Sequence, residues 1–408
     1  MAPTHSRYKS NILALVVLTN ILVIAMPSMG MSVLAKEIAQ DLDLDLVQVG
    51  IVWGIGSLPA ILTTLLGGAI GDKVGAKRVL IVSTLLAGLL GAARGLASDF
   101  TSMIVLVVLF GSVTPFVSMN GIKTVGQWFP SRQLGLANGV FSVGMGLGFL
   151  LGSLLSATTF SPLLGGWRNV LIVYGLAGAL LSIAWLTTRS APLQPQTREQ
   201  SISLGTAIFH IARLKNIWLL GLMLFGVGGC IQGVIGYLPL YLRGLGWEAF
   251  QADGALSAFH TISTICVMPI AFWSDRMGSR KPLLFSACLL VVIGTGMLSF
   301  AGGSAIWLAV MMTGLARDGL MAVFTTMVYE TEDVGLSYTG TAIGFAMAIG
   351  GLGYVLAPPL GNSLAVFWPG APFVLWSALA LGGMLCLSRV KVHQRQHEAT
   401  AERGAHGK

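Results

Sequence analysis

An arginine and an aspartate stand side by side at positions 317 and 318, in the middle of the apolar run MMTGLARDGLMAVF. Holding an ionisable group in hydrocarbon costs at least ~3 kcal/mol, so a charged pair kept there needs a chemical reason. Of the 16 acidic residues, Asp318 alone lies deep in an apolar segment; the others fall in loops, at segment ends or in the tails. Arg317 keeps its charge and offers a planar fork of donors that matches a carboxylate. A carboxyl group at low dielectric favours its neutral form, whereas a neighbouring guanidinium favours its charged form. An anion that takes Arg317 for itself therefore frees Asp318 to accept a proton. Anion and proton binding then reinforce each other, which is the chemistry of symport. The competing reading is a static ion pair that ties this segment to a neighbour. Successive helical residues also point about 100° apart, so the two side chains need not meet.

Other polar groups lie at similar depth in apolar runs: Asn20, Asn120, Gln232 and His260. Asn20 and Gln232 suit hydrogen bonding to a substrate, or equally the gluing of one helix to another. His260 has the side chain that titrates near neutral pH, although a lone histidine at such depth also serves as a packed, hydrogen-bonded residue. Arg94 lies near the end of its run, where a long side chain reaches outward to water, and is expected to be structural or part of an outer gate. Lys123 closes another run and suits either a latch partner for Asp72 or an anion exit residue. Catalytic constellations are missing: no G-x-x-x-x-G-K-[ST] run binds ATP, no His, Cys and carboxylate cluster has metal spacing, and no Ser-His-Asp order stands out. Neither an enzyme nor a cofactor or metal is expected. Cys230, Cys266, Cys288 and Cys386 fall inside apolar runs and read as small packing residues.

These residues must be positioned by membrane-spanning helices. Of 408 residues, 54% are hydrophobic and only 10% charged, against about 25% charged in a soluble domain. That is apolar material for about eleven or twelve spans of ~20 residues. The apolar stretches are continuous rather than alternating, which argues against a transmembrane β-barrel. Breaks at charged or Pro/Gly-rich points predict spans near 11–35, 47–71, 79–98, 103–125, 134–156, 169–187, 217–241, 252–273, 282–301, 304–328, 339–361 and 366–388. The first run, from Asn11 to about Ala35, lacks the short apolar core and cleavage site of a signal peptide. One polar connection, 188–216, is long and ends in a surface-helix pattern. It separates six spans (1–187) from six (217–390), with a basic tail at 391–408.

Twelve spans put both termini on one side. Only Lys36, Arg168 and Arg243 of the 24 Lys and Arg residues fall on the opposite side, and Arg94 and Arg317 lie within spans. The remainder gather with the termini, which are therefore expected in the cytoplasm, with the chain multi-pass in the cell (inner) membrane. The net charge of +8 thus reports topology, and no nucleic-acid partner is expected. The tail sequence KVHQRQH suits anionic headgroups of the lipid bilayer. Trp128, Trp167, Trp218, Trp247 and Trp368 near span ends fit an interfacial belt.

A charged motif occurs twice. Between spans two and three the chain reads GAIGDKVGAKR, and between spans eight and nine AFWSDRMGSRK. Asp72 matches Asp275, Lys73 matches Arg276, Gly75 matches Gly278 and Arg78 matches Lys281, while Ala271 replaces Gly68. Recurrence after the second span of each half marks an internal duplication of six spans. Here the chain resembles the major facilitator superfamily, whose loop motif has the form G-x-x-x-D-[RK]-x-G-x-[RK]-[RK]. The resemblance extends over the span count, the central linker and both motif copies. It implies an all-α membrane protein of two six-helix bundles that rock around a midplane site. It also implies a gate latch formed by Gly68, Asp72, Lys73, Gly75 and Arg78, with Asp275, Arg276, Gly278 and Lys281 as the weaker copy. Spans one, four, seven and ten would line the cavity, placing Arg317 and Asp318 on the transport path.

Two departures narrow the class. Val107 stands where proton-driven members often carry an Arg four residues before a Gly, here Gly111. Span five reads GVFSVGMGLGFLLG without the Gly-Pro pair usual in drug antiporters. Its glycines, like those of GTAIGFAMAIGGLG in span eleven, suit close helix packing. The expected function is proton-coupled transport of a small organic anion, a monocarboxylate preferred, by a monomer. Alternatives are export of a neutral or hydrophobic compound, or a transport-inactive membrane sensor.

Overall fold

The computed structural model describes residues 3–189, 204–276, 280–329, 331 and 334–391. Among them are twelve helices long and apolar enough to cross a membrane. Spans one to six are Tyr8–Val33, Leu46–Thr64, Ala76–Leu96, Phe100–Trp128, Gln133–Leu164 and Trp167–Thr187. Spans seven to twelve are Lys215–Gly244, Ala249–Ser274, Lys281–Leu298, Ser304–Tyr329, Tyr338–Val366 and Ala371–Ser388. The second span carries on as helix through Ser57–Val74. Part of the long connection, 190–203, and the tail from 392 onward lie outside the described residues. The predicted surface helix is present as Leu204–Ile211, with His210 stacked on Tyr338 at the start of span eleven, ring centroids 4.6 Å apart.

Helix starts and bends follow local chemistry. Span two begins on a capping box in which Asp45 accepts from the Gln48 N–H (2.7 Å) and the Gln48 side chain accepts from the Asp45 N–H (3.0 Å). Span four begins likewise on Asp99, whose carboxyl is held below its ordinary range by the Ser102 backbone N–H. Span one passes through a wide turn over Asn20–Ala25 before Pro27. Pro115, Pro239, Pro269, Pro358 and Pro359 sit inside spans four, seven, eight and eleven. Each removes one backbone donor, a loss that neighbouring helices can absorb.

The first six spans enclose a core of Ile12, Val16, Val23, Leu80, Phe110, Val117 and Trp185. The Trp185 indole at its centre donates to Thr19 Oγ1 at 3.0 Å. In the second six, span seven is the most buried element, with Gly221, Gly226, Gly228, Gly229 and Gly233 facing spans eleven and twelve and Gly236 facing Trp53 of span two. Apolar side chains also point outward: Val173, Leu176, Leu180 and Ile183 form an exposed stripe along span six. Such a face is unfavourable in water and suits acyl chains.

The two bundles meet along two seams, span two against span eleven and span five against span eight. At the first seam Gly54 lies so close to span eleven that a Cβ there would come within 2.7 Å of the Val355 carbonyl. Hydrogen bonds between the bundles gather toward the face opposite the termini. Ser32 donates to the Ile235 carbonyl (2.6 Å), Asn362 to that of Leu46 (2.8 Å) and Ser257 to that of Leu150 (3.5 Å).

Candidate functional site

Span ten brings Arg317 and Asp318 to the seam between the bundles. The two side chains do meet: Arg317 Nη1 lies 3.0 Å from Asp318 Oδ1. A 100° separation is bridged because the arginine stem is long enough to curl back. The guanidinium also stacks on Phe149 of span five, 4.8 Å from the ring centroid, so the cation of one bundle is covered by an aromatic of the other. The Asp318 backbone N–H donates to Ser263 Oγ of span eight at 3.2 Å. Both side chains stay partly accessible, Arg317 at 21% and Asp318 at 34%, so the pair is reachable rather than sealed.

His260 belongs to the same neighbourhood. It is buried between Phe149 and Phe259, with Nε2 3.1 Å from Met29 Sδ of span one and Nδ1 without a partner among the described residues. The structure thus brings together Arg317, Asp318 and His260, and adds Phe149, Ser263 and Met29. The sequence offered no signal for these three beyond their type.

The other polar residues go elsewhere. Asn120 is fully buried and donates to the Gly67 carbonyl of span two at 3.1 Å, with its amide oxygen lying over Gly71. It glues span four to the end of span two, where Gly71 has no side chain to occupy the place of the amide oxygen. Asn20 donates to the Val16 carbonyl on its own helix (2.9 Å) and packs on Gly121. Gln232 faces a cavity of about 240 Å³ that it shares with Ser28, Trp53, Thr114 and Arg94.

Arg94 corrects an expectation. Instead of reaching outward it turns in, 2% exposed, and lies flat on Phe110 with 3.9 Å from guanidinium carbon to ring centroid. The quadrupole of Phe110 offers the cation a partner that the lipid side lacks.

The first motif copy forms the tight turn its glycine implies. Gly75 has φ 97°, between the end of span two and the start of span three. Lys123 of span four lies 2.5 Å from Asp72 Oδ1 and donates to the Gly68 carbonyl. Lys73 and Arg78 are exposed. In the second copy Gly278 and the Asp275 side chain lie outside the described residues, and Arg276 stacks on Phe272.

The alignment of Arg78 with Lys281 does not carry to their contacts. Lys281 donates to the carbonyls of Ser388 and Val390 (2.7 Å each) at the end of span twelve. Its counterpart in contact is Lys77, which donates to the Leu186 and Thr188 carbonyls at the end of span six. Span three starts at Ala76, one residue before Lys77, whereas span nine starts at Lys281 itself with Pro282 in its first turn. On the motif alignment span nine starts two residues later than span three, and the lysine that reaches the open carbonyls lies one residue later.

A second ion pair, this one buried, was missed. Arg243 Nη2 bonds both oxygens of Asp253 at 2.8 Å, with the acid fully buried. Counted as a loop cation and a helix-end acid, the two looked unremarkable. The signal was an arginine and an acid ten residues apart around the tight turn at Gly246.

Residues 13–333, and again 254–407, match the profile of the Major Facilitator Superfamily. A Mycobacterium tuberculosis protein named as a probable nitrate/nitrite transporter, NarK2, is 26% identical over 338 residues, covering 80% of this chain and 82% of its own. The 3-(3-hydroxy-phenyl)propionate transporter of Escherichia coli is 26% identical over 360 residues, covering 85% and 87%. A bacterial homolog of the human lysosomal transporter Spinster, solved in an inward-facing and occupied conformation, superimposes with a TM-score of 0.73 at 16% identity, covering 94% of each chain. The doubled motif, the twelve spans and the profile match agree, and the chain belongs to the Major Facilitator Superfamily.

Proposed function

We propose that this multi-pass membrane transporter moves a small organic anion, a monocarboxylate preferred, together with a proton across the cell (inner) membrane, with both termini in the cytoplasm. The observation that carries the reading is the Arg317–Asp318 pair, joined at 3.0 Å, partly accessible and set where the bundles meet. The empty site is neutral overall, one cation and one carboxylate. A substrate carboxylate that displaces Asp318 from Arg317 leaves one negative charge in excess until Asp318 is protonated. Moving that uncompensated charge through the membrane costs at least ~3 kcal/mol, roughly a hundredfold in population at about 1.4 kcal/mol per decade. The empty site and the doubly loaded site cross readily, and the anion-only site does not. The two relatives are named as a probable nitrate/nitrite transporter and a 3-(3-hydroxy-phenyl)propionate transporter, which supports the anion reading.

The test is uptake in proteoliposomes of labelled monocarboxylates, dicarboxylates, nitrate and neutral analogues, with and without an inward proton gradient. Saturable, gradient-driven uptake of monocarboxylates, abolished by a protonophore, is the expected result. Movement of neutral compounds alone contradicts the reading and favours the exporter.

The Asp72–Lys123 pair is assigned to the gate. It lies within the first bundle, at 49% and 28% side-chain exposure, where an ion pair contributes at most about 1 kcal/mol. Lys123→Ala is therefore expected to leave the unfolding temperature within a few degrees of wild type while slowing initial uptake severalfold. A variant transporting at the wild-type rate would remove the pair from the gate.

A further inference from the structure

The cavity beside Arg94 has a feature the proposed transport centre does not use. Arg94 is 2% exposed, and its Nε and Nη2 atoms are buried without an acceptor among the described residues. A guanidinium does not shed its proton to escape such a setting. Buried charges are ordinarily paired, and an unpaired one is costly to keep. Phe110 covers one face of the cation but accepts no conventional hydrogen bond in its plane. Among the described residues no acceptor meets these two atoms, and the lining of the cavity contains no Asp or Glu.

What the lining does contain is a small set of groups suited to an anion. Ser28, Thr114 and Gln232, with hydroxyl and amide side chains, line the same space as Arg94. The volume, about 240 Å³, exceeds what one or two waters fill at ~30 Å³ each. One unpaired cation balances one negative charge, and a dianion would leave the second uncompensated. The indole of Trp53 closes one wall by donating to the Gln232 carbonyl at 2.8 Å, so the cavity is bounded by both bundles.

We propose that this cavity is a second anion site, in which Arg94 takes a small monocarboxylate or comparable planar monoanion and Ser28, Thr114 and Gln232 complete its hydrogen bonds. It is separate from the Arg317 centre, which contributes nothing to its lining. Because its walls come from both bundles, an occupied site holds the bundles together at the face opposite the termini.

Binding at this site can be measured without transport. Purified protein carrying Arg317→Gln, in lipid nanodiscs, is titrated with benzoate, and separately with nitrate and with neutral benzamide. Intrinsic tryptophan fluorescence and the shift in unfolding temperature are followed. The expected result is a saturable response to benzoate or nitrate and none to benzamide. Adding Arg94→Gln weakens it at least tenfold, Arg94→Lys less, and Trp53→Phe reduces the fluorescence change while the thermal shift remains. Gln232→Ala and Thr114→Val, each expected to weaken binding severalfold, carry the test if Arg94→Gln does not fold. The proposal is overturned by no saturable response to either anion, by an Arg94→Gln protein that binds as tightly as its parent, or by lining variants without effect.

Discussion

Arg317→Gln is expected to lower carboxylate uptake at least a hundredfold while the protein remains folded. Glutamine keeps much of the length and a planar donor but removes the charge that a carboxylate substrate requires. A hundredfold loss is about 2.8 kcal/mol at 1.4 kcal/mol per decade, within the roughly 2–5 kcal/mol lost when one partner of a hydrogen-bonded charge pair is truncated. Folding is expected to survive because Asp318, at 34% side-chain exposure, keeps access to solvent when its partner is removed. Arg317→Lys retains the charge without the fork and without the flat stacking on Phe149, so it should fall between the two. The measurement is initial uptake beside a thermal unfolding curve for each variant. Wild-type uptake by Arg317→Gln would reduce the pair to a structural link.

Arg243→Met is expected to act on stability instead. Both oxygens of Asp253 rest on Arg243 Nη2 at 2.8 Å, and the acid is fully buried. Removing the arginine leaves a buried carboxylate unpaired, a loss of about 3–5 kcal/mol when one partner of a buried pair is deleted. Replacing both partners removes the stranded charge, so Arg243→Met with Asp253→Leu should recover most of the stability lost by the single variant. Chemical unfolding in detergent, compared across wild type, single and double variants, reads this directly. A single variant as stable as wild type would show that the acid finds another partner or a proton at little cost.

The contrast between these two pairs shows what a sequence carries and what it leaves out. Hydropathy reports depth along a helix, so the twelve spans and the depth of Arg317 and Asp318 were legible, as was the glycine turn at Gly75. Azimuth is another matter, because a side chain's direction around its helix is set by the neighbours it packs on. Arg94 lies near the end of its span, where either outward or inward placement satisfies the hydropathy pattern. The ring of Phe110, on a different helix, decides for inward. Asn120 was legible only as a polar group at depth, and the space that Gly71 leaves turned it toward span two. The exchange of Lys77 for Arg78 as the partner of Lys281 depended on where each helix begins, which a motif alignment does not encode. Phe149 could not be joined to Arg317 without knowing that span ten reaches span five beside the seam of spans five and eight.

The most direct test of the proposed coupling is made on Asp318→Asn in proteoliposomes, with a trapped pH dye reporting proton entry alongside labelled carboxylate uptake. The side chain keeps its size and its oxygen, but it no longer takes up a proton. Coupled transport through Asp318 requires that the variant still exchange labelled for unlabelled substrate while losing both accumulation driven by the proton gradient and substrate-dependent acidification. Accumulation and acidification at wild-type levels in the variant would contradict the account and place the proton elsewhere.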